Sequence, residues 1–181
     1  MKSKLNPKET AFLVIDVQKK FCDPKGEQGT KRTEEIATRI QSIAPAFRHA
    51  GLPVFAIYFS NFDFDPKPSL EDAGFYKFKP AKKDKIVPKV MTDAFTSSDI
   101  IEQLEKAKIK NLIVSGFNTR ACVYATVCSA LAYAFNVIVL DDLTGSGKKT
   151  ERYRDARVHK HLMKNKGAQI RRSASVLKQI G

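Results

Sequence analysis

The chain has 181 residues, and its 32 Lys and Arg against 19 Asp and Glu give a formal net charge of +13. Its hydrophobic share of 43% is normal for a globular protein, and no apolar run approaches the roughly 20 residues that span a bilayer. The first residues lack the apolar core of a secretion signal, and the three cysteines, Cys22, Cys122 and Cys128, provide no disulfide framework. We therefore expect one cytoplasmic domain over residues 1–181 with no membrane partner.

Short apolar runs alternate along the chain with amphipathic helical patterns. The first predicted strand covers residues 11–15 and ends at Asp16. A helix follows, with Thr33 as its predicted cap and Gly51 as its end. Its apolar face is formed by Ile36, Ile40, Ile43 and Phe47. The second strand is predicted at residues 54–59.

The middle of the chain has a long connection, residues 60–85, which is rich in Pro and Lys. Loops of that length in compact domains are usually functional or mobile, so a lid over a binding site stays an open question. A third strand is predicted at residues 86–90. Thr96 or Ser97 is then predicted to open a helix, whose inward side chains are Ile100, Ile101 and Leu104.

The last part of the chain repeats the alternation. Strands are predicted at residues 111–114, 137–140 and 168–170. An apolar helix is predicted from Cys122 to Ala134. A second helix is predicted over residues 150–166, with Val158, Leu162 and Met163 as its apolar residues, and a helical turn ends the chain. Strands that alternate with helices predict a parallel sheet covered on both faces, which binds ligands outside the carboxyl ends of its strands.

Three reactive side chains lie at or near predicted strand ends: Asp16, Lys89 and Cys122. A helix N-terminus and a cationic neighbour both favour a thiolate, so together they are expected to lower the thiol pKa by roughly two units, about 2.7 kcal/mol. Lys89 is the candidate cation, and Asp16 is the candidate proton acceptor. Each residue also has a simpler interpretation. Asp16 is then a turn residue, Lys89 is one of many lysines, and Cys122 is a small apolar side chain in the core.

The predicted helix start also offers a place for a developing oxyanion. The backbone N–H groups of Ala121 and Cys122 are expected to form this oxyanion hole. Together these parts suit acyl transfer, in which the thiolate attacks an amide carbonyl and water hydrolyses the resulting thioester.

Three ordered segments carry a family resemblance. They read Val14-Ile-Asp16-Val-Gln18-Lys-Lys-Phe21, Lys89-Val-Met-Thr-Asp-Ala94-Phe95 and Gly116-Phe-Asn-Thr119-Arg-Ala-Cys122-Val123-Tyr-Ala-Thr126. In residue type, order and spacing, the chain from Ala11 onward resembles the isochorismatase-like cysteine hydrolase superfamily, which includes nicotinamidases and other small-amide hydrolases.

The resemblance implies a three-layer α/β/α sandwich with a six-stranded parallel sheet, and a catalytic triad of Asp16, Lys89 and the nucleophile Cys122. It also implies a non-proline cis peptide between Phe117 and Asn118, a small-molecule amide substrate, and a homo-oligomer, either a dimer or a tetramer. The residues expected to line the substrate pocket are Phe21, Tyr58, Phe95, Asn118, Arg120 and Tyr124.

Some positions depart from the family pattern. Nicotinamidases bind a metal through an Asp-x-His motif and a further His after the second strand, whereas residues 60–65 here contain no histidine. Asp63 and Asp65 could hold a hard cation, but loop carboxylates in solvent are the simpler interpretation, so no metal and no cofactor are expected. Arg120 either meets a substrate carboxylate or faces solvent. Ser129 and Thr92-Asp93 replace residues more usual in the family.

The presence of Cys122 favours amide hydrolysis over the vinyl-ether cleavage of true isochorismatases, which typically lack this cysteine. The sequence also leaves open a non-catalytic small-molecule-binding member of the same fold, and a binder of polyanions suggested by the net charge. Lysine-rich solvated faces explain that charge more simply, so nucleic acid is not the expected partner.

Overall fold

The computed structural model describes residues 4–60, 74–96, 98–148 and 153–180. The strands are β1 (Thr10–Ile15), β2 (Val54–Phe59), β3 (Lys85–Lys89), β4 (Asn111–Phe117), β5 (Asn136–Gly145) and β6 (Gln169–Arg171). The helices are α1 (Lys19–Cys22), α2 (Lys31–His49), α3 (Ile100–Lys106), α4 (Cys122–Ala132), α5 (Tyr153–Asn165) and α6 (Ser173–Ile180). These elements confirm the predicted α/β fold.

The six strands form one parallel sheet in the order β3-β2-β1-β4-β5-β6. The chain first adds strands on one side of β1 and then crosses to the other side at β4. In open α/β sheets this reversal opens a crevice at the carboxyl ends of the two central strands. Asp16 directly follows β1, and Cys122 comes five residues after β4, so both lie at this crevice.

Helices cover both faces of the sheet, which confirms the three-layer arrangement. In β1, Leu13 and Ile15 pack into the core shared with α3, α4 and α5. Phe12 and Val14 pack into the core shared with α2 and α6. All six residues of β1 are buried because the strand is covered on both sides, as its continuous apolar run predicts.

The cap of α2 differs from the prediction. Thr30, and not Thr33, is the N-cap. The Thr30 hydroxyl accepts a hydrogen bond from the Thr33 N–H at 3.1 Å, and the Thr33 hydroxyl accepts one from the Thr30 N–H at 2.7 Å. Two threonines three residues apart therefore form a reciprocal capping box, in which Thr33 is the N3 residue and not the predicted cap.

The predicted start of α3 at Thr96 or Ser97 is also wrong, since the helix begins at Ile100 with Asp99 as its N-cap. Local side-chain bonds hold the preceding segment in turns. The Asp93 carboxylate accepts from the Phe95 N–H at 2.9 Å, and the Ser98 hydroxyl donates to the Ala94 carbonyl at 2.7 Å. Short polar side chains that bond to the nearby backbone compete with the helix in this way.

Several element ends lie beyond or short of the predicted ones. β4 and β5 continue to Phe117 and Gly145 through polar residues that periodicity does not read as strand. α4 ends at Ala132, because Ala134 adopts a φ of +62°. On α5, Met163 is buried, but Val158 and Leu162 are 51% and 38% exposed.

Within the described ranges, no helix combines the length and apolarity needed to cross a membrane.

Candidate active site

Asp16, Lys89 and Cys122 come together at the carboxyl edge of the sheet. The Lys89 Nζ lies 3.0 Å from the Asp16 Oδ2 and donates to the Cys122 Sγ at 3.4 Å. A third contact, to the Met91 carbonyl at 3.1 Å, fixes the ammonium group between them. Asp16 and Lys89 are fully buried, and Cys122 is 9% exposed. The sequence prediction that three strand ends meet at one point is therefore realised in the fold.

The backbone at the end of β1 and β4 allows this close approach. Asp16 has a φ of +52°, in the left-handed region, and its N–H donates to the Ile57 carbonyl at 2.9 Å. Gly116 has a φ of +113°, and a Cβ atom there would lie 1.9 Å from the Ile15 carbonyl oxygen. Only glycine lets β4 run this close to the end of β1. The turn that carries Cys122 is thereby brought beside Asp16.

The segment after Lys89 is tied to the helix that carries Cys122. The Thr126 hydroxyl on α4 accepts from the Ala94 N–H at 3.2 Å. The Ser129 hydroxyl donates to the Asp93 Oδ2 at 2.6 Å. Ser129 and Asp93 are two of the departures from the family pattern, and they contact each other. The carboxylate and its hydroxyl partner thus connect α4 to the β3–α3 segment.

Two residues that the sequence analysis did not assign to the site support Lys89. The Lys89 Nζ lies 4.7 Å from the centre of the Phe59 ring, within cation–π distance. The Gln18 side chain clamps the Phe59 backbone, donating to its carbonyl at 3.0 Å and accepting from its N–H at 2.8 Å. Gln18 belongs to the first family segment and could have been selected on that ground. In the sequence, Phe59 is only the last residue of an apolar strand, so no motif predicts its contact with Lys89.

The charge state of the thiol is opposite to the predicted one. Burial and the neighbouring Asp16 carboxylate raise the pKa of Cys122 to about 12, and Lys89 only partly opposes them. Burial likewise raises the pKa of Asp16 above its usual range, although Lys89 acts in the other direction. The prediction of a lowered thiol pKa considered the cation and the helix end but not the loss of solvent. The resting thiol is therefore protonated near neutral pH, and it lies beside the buried contact between Asp16 and Lys89.

The turn before α4 contains the predicted cis peptide between Phe117 and Asn118. One of the two expected oxyanion donors is already engaged, since the Ala121 N–H donates to the Asn118 carbonyl at 3.0 Å. Among the residues described, the N–H groups of Cys122 and Asn118 have no hydrogen-bond partner. Cys122 therefore remains a candidate donor, while Ala121 serves to hold the turn.

The Asn118 side chain connects two loops, and its place in a substrate pocket stays a prediction. Its amide donates to the Gln28 Oε1 at 3.2 Å, and its oxygen accepts from the Gly147 N–H at 3.1 Å. The next residue, Thr119, donates from its N–H and its hydroxyl to the Gly145 carbonyl, at 2.8 Å and 3.0 Å. The turn before the nucleophile is thus anchored to the end of β5.

The four aromatic residues expected to line a pocket have different surroundings. Phe21 packs in the core on the α2 side of the sheet, whereas Phe95 shares the opposite core with Cys122. Tyr58 is buried and meets the Phe75 ring edge-on, and Tyr124 meets the His159 ring of α5 edge-on. Phe95 and Tyr124 both pack with the cluster that contains Cys122, on the face of the sheet opposite Phe21. A common substrate pocket for the four rings stays a prediction.

The remaining expectations concern Arg120 and a metal. Arg120 is exposed, which is compatible with both of its interpretations. Asp63 and Asp65 lie outside the described residues. In the described ranges, no three His, Cys, Asp or Glu side chains are grouped so as to hold a metal ion. Metal independence stays a prediction.

Comparison with known proteins gives a consistent result. The Isochorismatase domain family matches residues 10–174. The chain is 28% identical over 137 residues to the uncharacterized isochorismatase family protein YddQ of Bacillus subtilis (strain 168), a match that covers 74% of this chain and 76% of the relative. It is 26% identical over 180 residues to the ureidoacrylate amidohydrolase RutB of Pseudomonas savastanoi pv. phaseolicola, covering 78% of this chain and 72% of the relative.

The fold also matches a solved structure, the cysteine hydrolase from Pseudomonas syringae pv. phaseolicola, with a TM-score of 0.85 and 23% identity. This superposition covers 99% of the present chain and 95% of that one, and it supports the fold. The family match spans nearly the whole chain, from the start of β1 into α6. The chain therefore belongs to the isochorismatase family of hydrolases.

Proposed function

We propose that this protein is a cysteine-dependent hydrolase that cleaves a small amide-type C–N bond through a thioester intermediate. The observation that carries the proposal is the buried contact of Lys89 with both the Asp16 carboxylate and the Cys122 thiol. A buried carboxylate, ammonium and thiol in mutual contact are difficult to explain as packing, because burying charge is unfavourable. Together they supply a base, a cation and a nucleophile.

The first step transfers the thiol proton to Asp16 as the Cys122 sulfur attacks the substrate carbonyl. A thiol whose pKa is raised to about 12 is almost fully protonated near neutral pH, so a base has to act during the attack. Asp16 suits this task because its raised pKa makes it a stronger base than an exposed aspartate. Lys89 contacts both groups and stays close to the negative charge as it moves from oxygen to sulfur.

The second step breaks the C–N bond. The tetrahedral oxyanion accepts hydrogen bonds from the backbone N–H of Cys122 and, we propose, of Asn118, the two donors in this turn that have no partner among the described residues. Asp16 returns its proton to the leaving nitrogen, and the amine departs from a thioester on Cys122. Water then gives a proton to Asp16 and attacks the thioester. The C–S bond breaks, the thiol is re-formed, and the acid product leaves.

Small amides and ureides are the substrate class to test first. The name of the relative RutB, ureidoacrylate amidohydrolase, supports the inclusion of ureides. The lack of histidine in residues 60–65 is the sequence argument for a reaction without zinc. We therefore expect activity to survive dialysis against a chelator.

A chromatographic screen of small amides and ureides with the purified chain tests the proposal. We expect one class to be hydrolysed by the wild type and by Cys128→Ser, a matched thiol substitution on the same helix, but not by Cys122→Ser. Equal turnover by Cys122→Ser would reject the covalent mechanism. If no amide or ureide reacts, while a vinyl ether is cleaved, the proposed bond class is wrong.

A further inference from the structure

A polar cavity of about 560 Å³ lies beside the carboxyl half of β5, between α2, α5 and the start of α6. Its basic lining consists of Arg32, Arg39, Arg157, Lys160 and Arg172. None of the triad residues lines it. The cavity is therefore separate from the proposed hydrolytic site.

The acidic residues in the lining do not neutralise all of these cations. Glu35, Asp141 and Asp142 face the five basic side chains, which leaves a surplus of two positive charges. Asp142 pairs with Arg39 at 2.7 Å, and Asp141 pairs with Lys160 at 2.7 Å. Asp142 also accepts two hydrogen bonds from Ser173, at 2.8 Å and 2.7 Å, so it is already committed to partners within the chain.

Two guanidinium groups of the lining have no ion pair with a described side chain: neither Arg157 nor Arg172 has a carboxylate within ion-pair distance in the part of the chain that the structure describes. Arg157 belongs to α5, and Arg172 lies between β6 and α6, so the two line the cavity from different elements of the fold. Guanidinium groups are planar, remain charged and match the oxygens of phosphate with paired N–H donors.

A buried hydroxyl adds an independent observation. Thr144 lines the cavity and is 2% exposed. Its Oγ1 is buried without a hydrogen-bond partner among the described residues. Buried polar atoms in native proteins are nearly always paired, so this hydroxyl at the cavity wall has hydrogen-bonding capacity for a ligand atom or a water.

We propose that this cavity binds a phosphorylated small molecule, with Arg157 and Arg172 on the phosphate oxygens and the Thr144 hydroxyl bonded to the ligand. A phosphate group fits better than a carboxylate, because its three terminal oxygens can meet donors from several directions. The volume lies in the range of about 300–1,000 Å³ that is usual for small-molecule sites, so a phosphate ester fits as well as the bare ion.

Isothermal titration calorimetry on the full chain tests this site, with inorganic phosphate and adenosine 5′-monophosphate as probes and succinate as a carboxylate control. We expect saturable binding of one phosphate compound per chain and weaker binding of succinate. Arg157→Gln and Arg172→Gln should each raise Kd by roughly tenfold or more, the effect of losing a charge-assisted hydrogen bond. Lys178→Gln, on the exposed face of α6, removes the same charge and should leave Kd unchanged.

Variants of Thr144 distinguish specific binding in this cavity from general electrostatic attraction of anions to a basic protein. Thr144→Val should weaken phosphate binding, and Thr144→Ser, which keeps a hydroxyl, should restore it. Melting curves of each variant verify that the fold is intact. The proposal is rejected if neither phosphate compound binds saturably, if succinate binds as tightly, or if Lys178→Gln weakens binding as much as Arg172→Gln. Because the readout is binding, the result is independent of whether the triad hydrolyses amides.

Discussion

Two ion pairs of similar length differ in the direction in which the pKa of their carboxylate is shifted. At the triad, Lys89 and Asp16 are 3.0 Å apart, with side chains 0% and 1% exposed. At the polar cavity, Arg39 and Asp142 are 2.7 Å apart, with side chains 48% and 6% exposed. Burial raises the pKa of Asp16 despite its cation. Burial also opposes ionisation of Asp142, but hydrogen bonds from Ser173 and the charge of Arg39 prevail and lower its pKa.

The comparison shows that access to solvent and hydrogen bonds, more than the length of an ion pair, determine the charge state of each carboxylate. Asp16 has a raised pKa and lies beside a protonated thiol, which suits a base that accepts the thiol proton during catalysis. The pKa of Asp142 is lowered, and among the described residues the cavity around it has more basic than acidic side chains, which suits binding of an anion. Variants at one region should leave the other unchanged.

The largest expected effect is the loss of hydrolysis in Cys122→Ser. A serine hydroxyl is a much weaker nucleophile in a site built for a thiol, so kcat should fall by roughly 10⁴-fold. Lys178→Gln, on the surface of α6, should keep the wild-type rate. Steady-state kinetics on the best amide from the screen measure both. A fall of less than tenfold in Cys122→Ser contradicts the assignment of the nucleophile.

The second prediction compares the two ion pairs in free energy of unfolding. Lys89→Met leaves the buried Asp16 carboxylate without its cation and should lower that free energy by about 3–5 kcal/mol. Arg39→Met breaks a pair whose arginine is half exposed, so the loss should be about 0–1 kcal/mol. Urea denaturation gives both values. Similar losses in the two variants would show that solvent exclusion does not distinguish the pairs.

The third prediction concerns the reactivity of the thiol. Asp16→Asn removes the carboxylate that helps to raise the pKa of Cys122, and it leaves Lys89, which lowers that pKa, in place. Alkylation of Cys122 near neutral pH should therefore become roughly tenfold faster or more, although hydrolysis is lost. Lys89→Met should act in the opposite direction. The rates are read by peptide mass spectrometry in a Cys128→Ser background. Slower alkylation in Asp16→Asn contradicts the electrostatic account.

The fourth and smallest expected effect is a displaced acid limb in the pH profile. The reactive form requires an ionised Asp16, whose pKa is raised above the ordinary 3.8. As pH falls through this raised pKa, kcat/KM should fall, at a higher pH than an unperturbed aspartate allows. An acid limb at or below 3.8 contradicts the raised pKa.

Much of the fold follows from the sequence, because a parallel sheet leaves short apolar runs between amphipathic helical patterns. Six such runs predicted all six strands; β1, β2 and β4 are almost wholly buried, whereas the edge strands β3 and β6 are partly exposed. Ser115 and Thr144 are polar but buried, so the pattern did not show that β4 and β5 continue through them. The start of α3 depends on the bonds of Asp93 and Ser98 to the backbone, which compete with helix formation in a way that residue type alone does not reveal.

The site was less predictable than the fold. Asp16, Lys89 and Cys122 could be selected because they lie at or near strand ends and belong to the three segments that resemble the family. The thiol pKa was predicted in the wrong direction, because burial depends on the whole assembly of the sheet and helices. The side chain of Asn118 binds Gln28 and Gly147, which are distant in sequence, so residue type alone does not predict these contacts. Phe59 could be recognised beside Lys89 only when β2 and β3 were seen to pair.

The most direct test of the central claim is the mass of the Cys122 peptide after rapid acid quench during turnover of a hydrolysed amide or ureide. The account predicts an adduct equal to the acyl part of the substrate on Cys122, labile to hydroxylamine and absent from Cys122→Ser. Continued turnover in Cys122→Ser with no adduct on the wild-type peptide would contradict it.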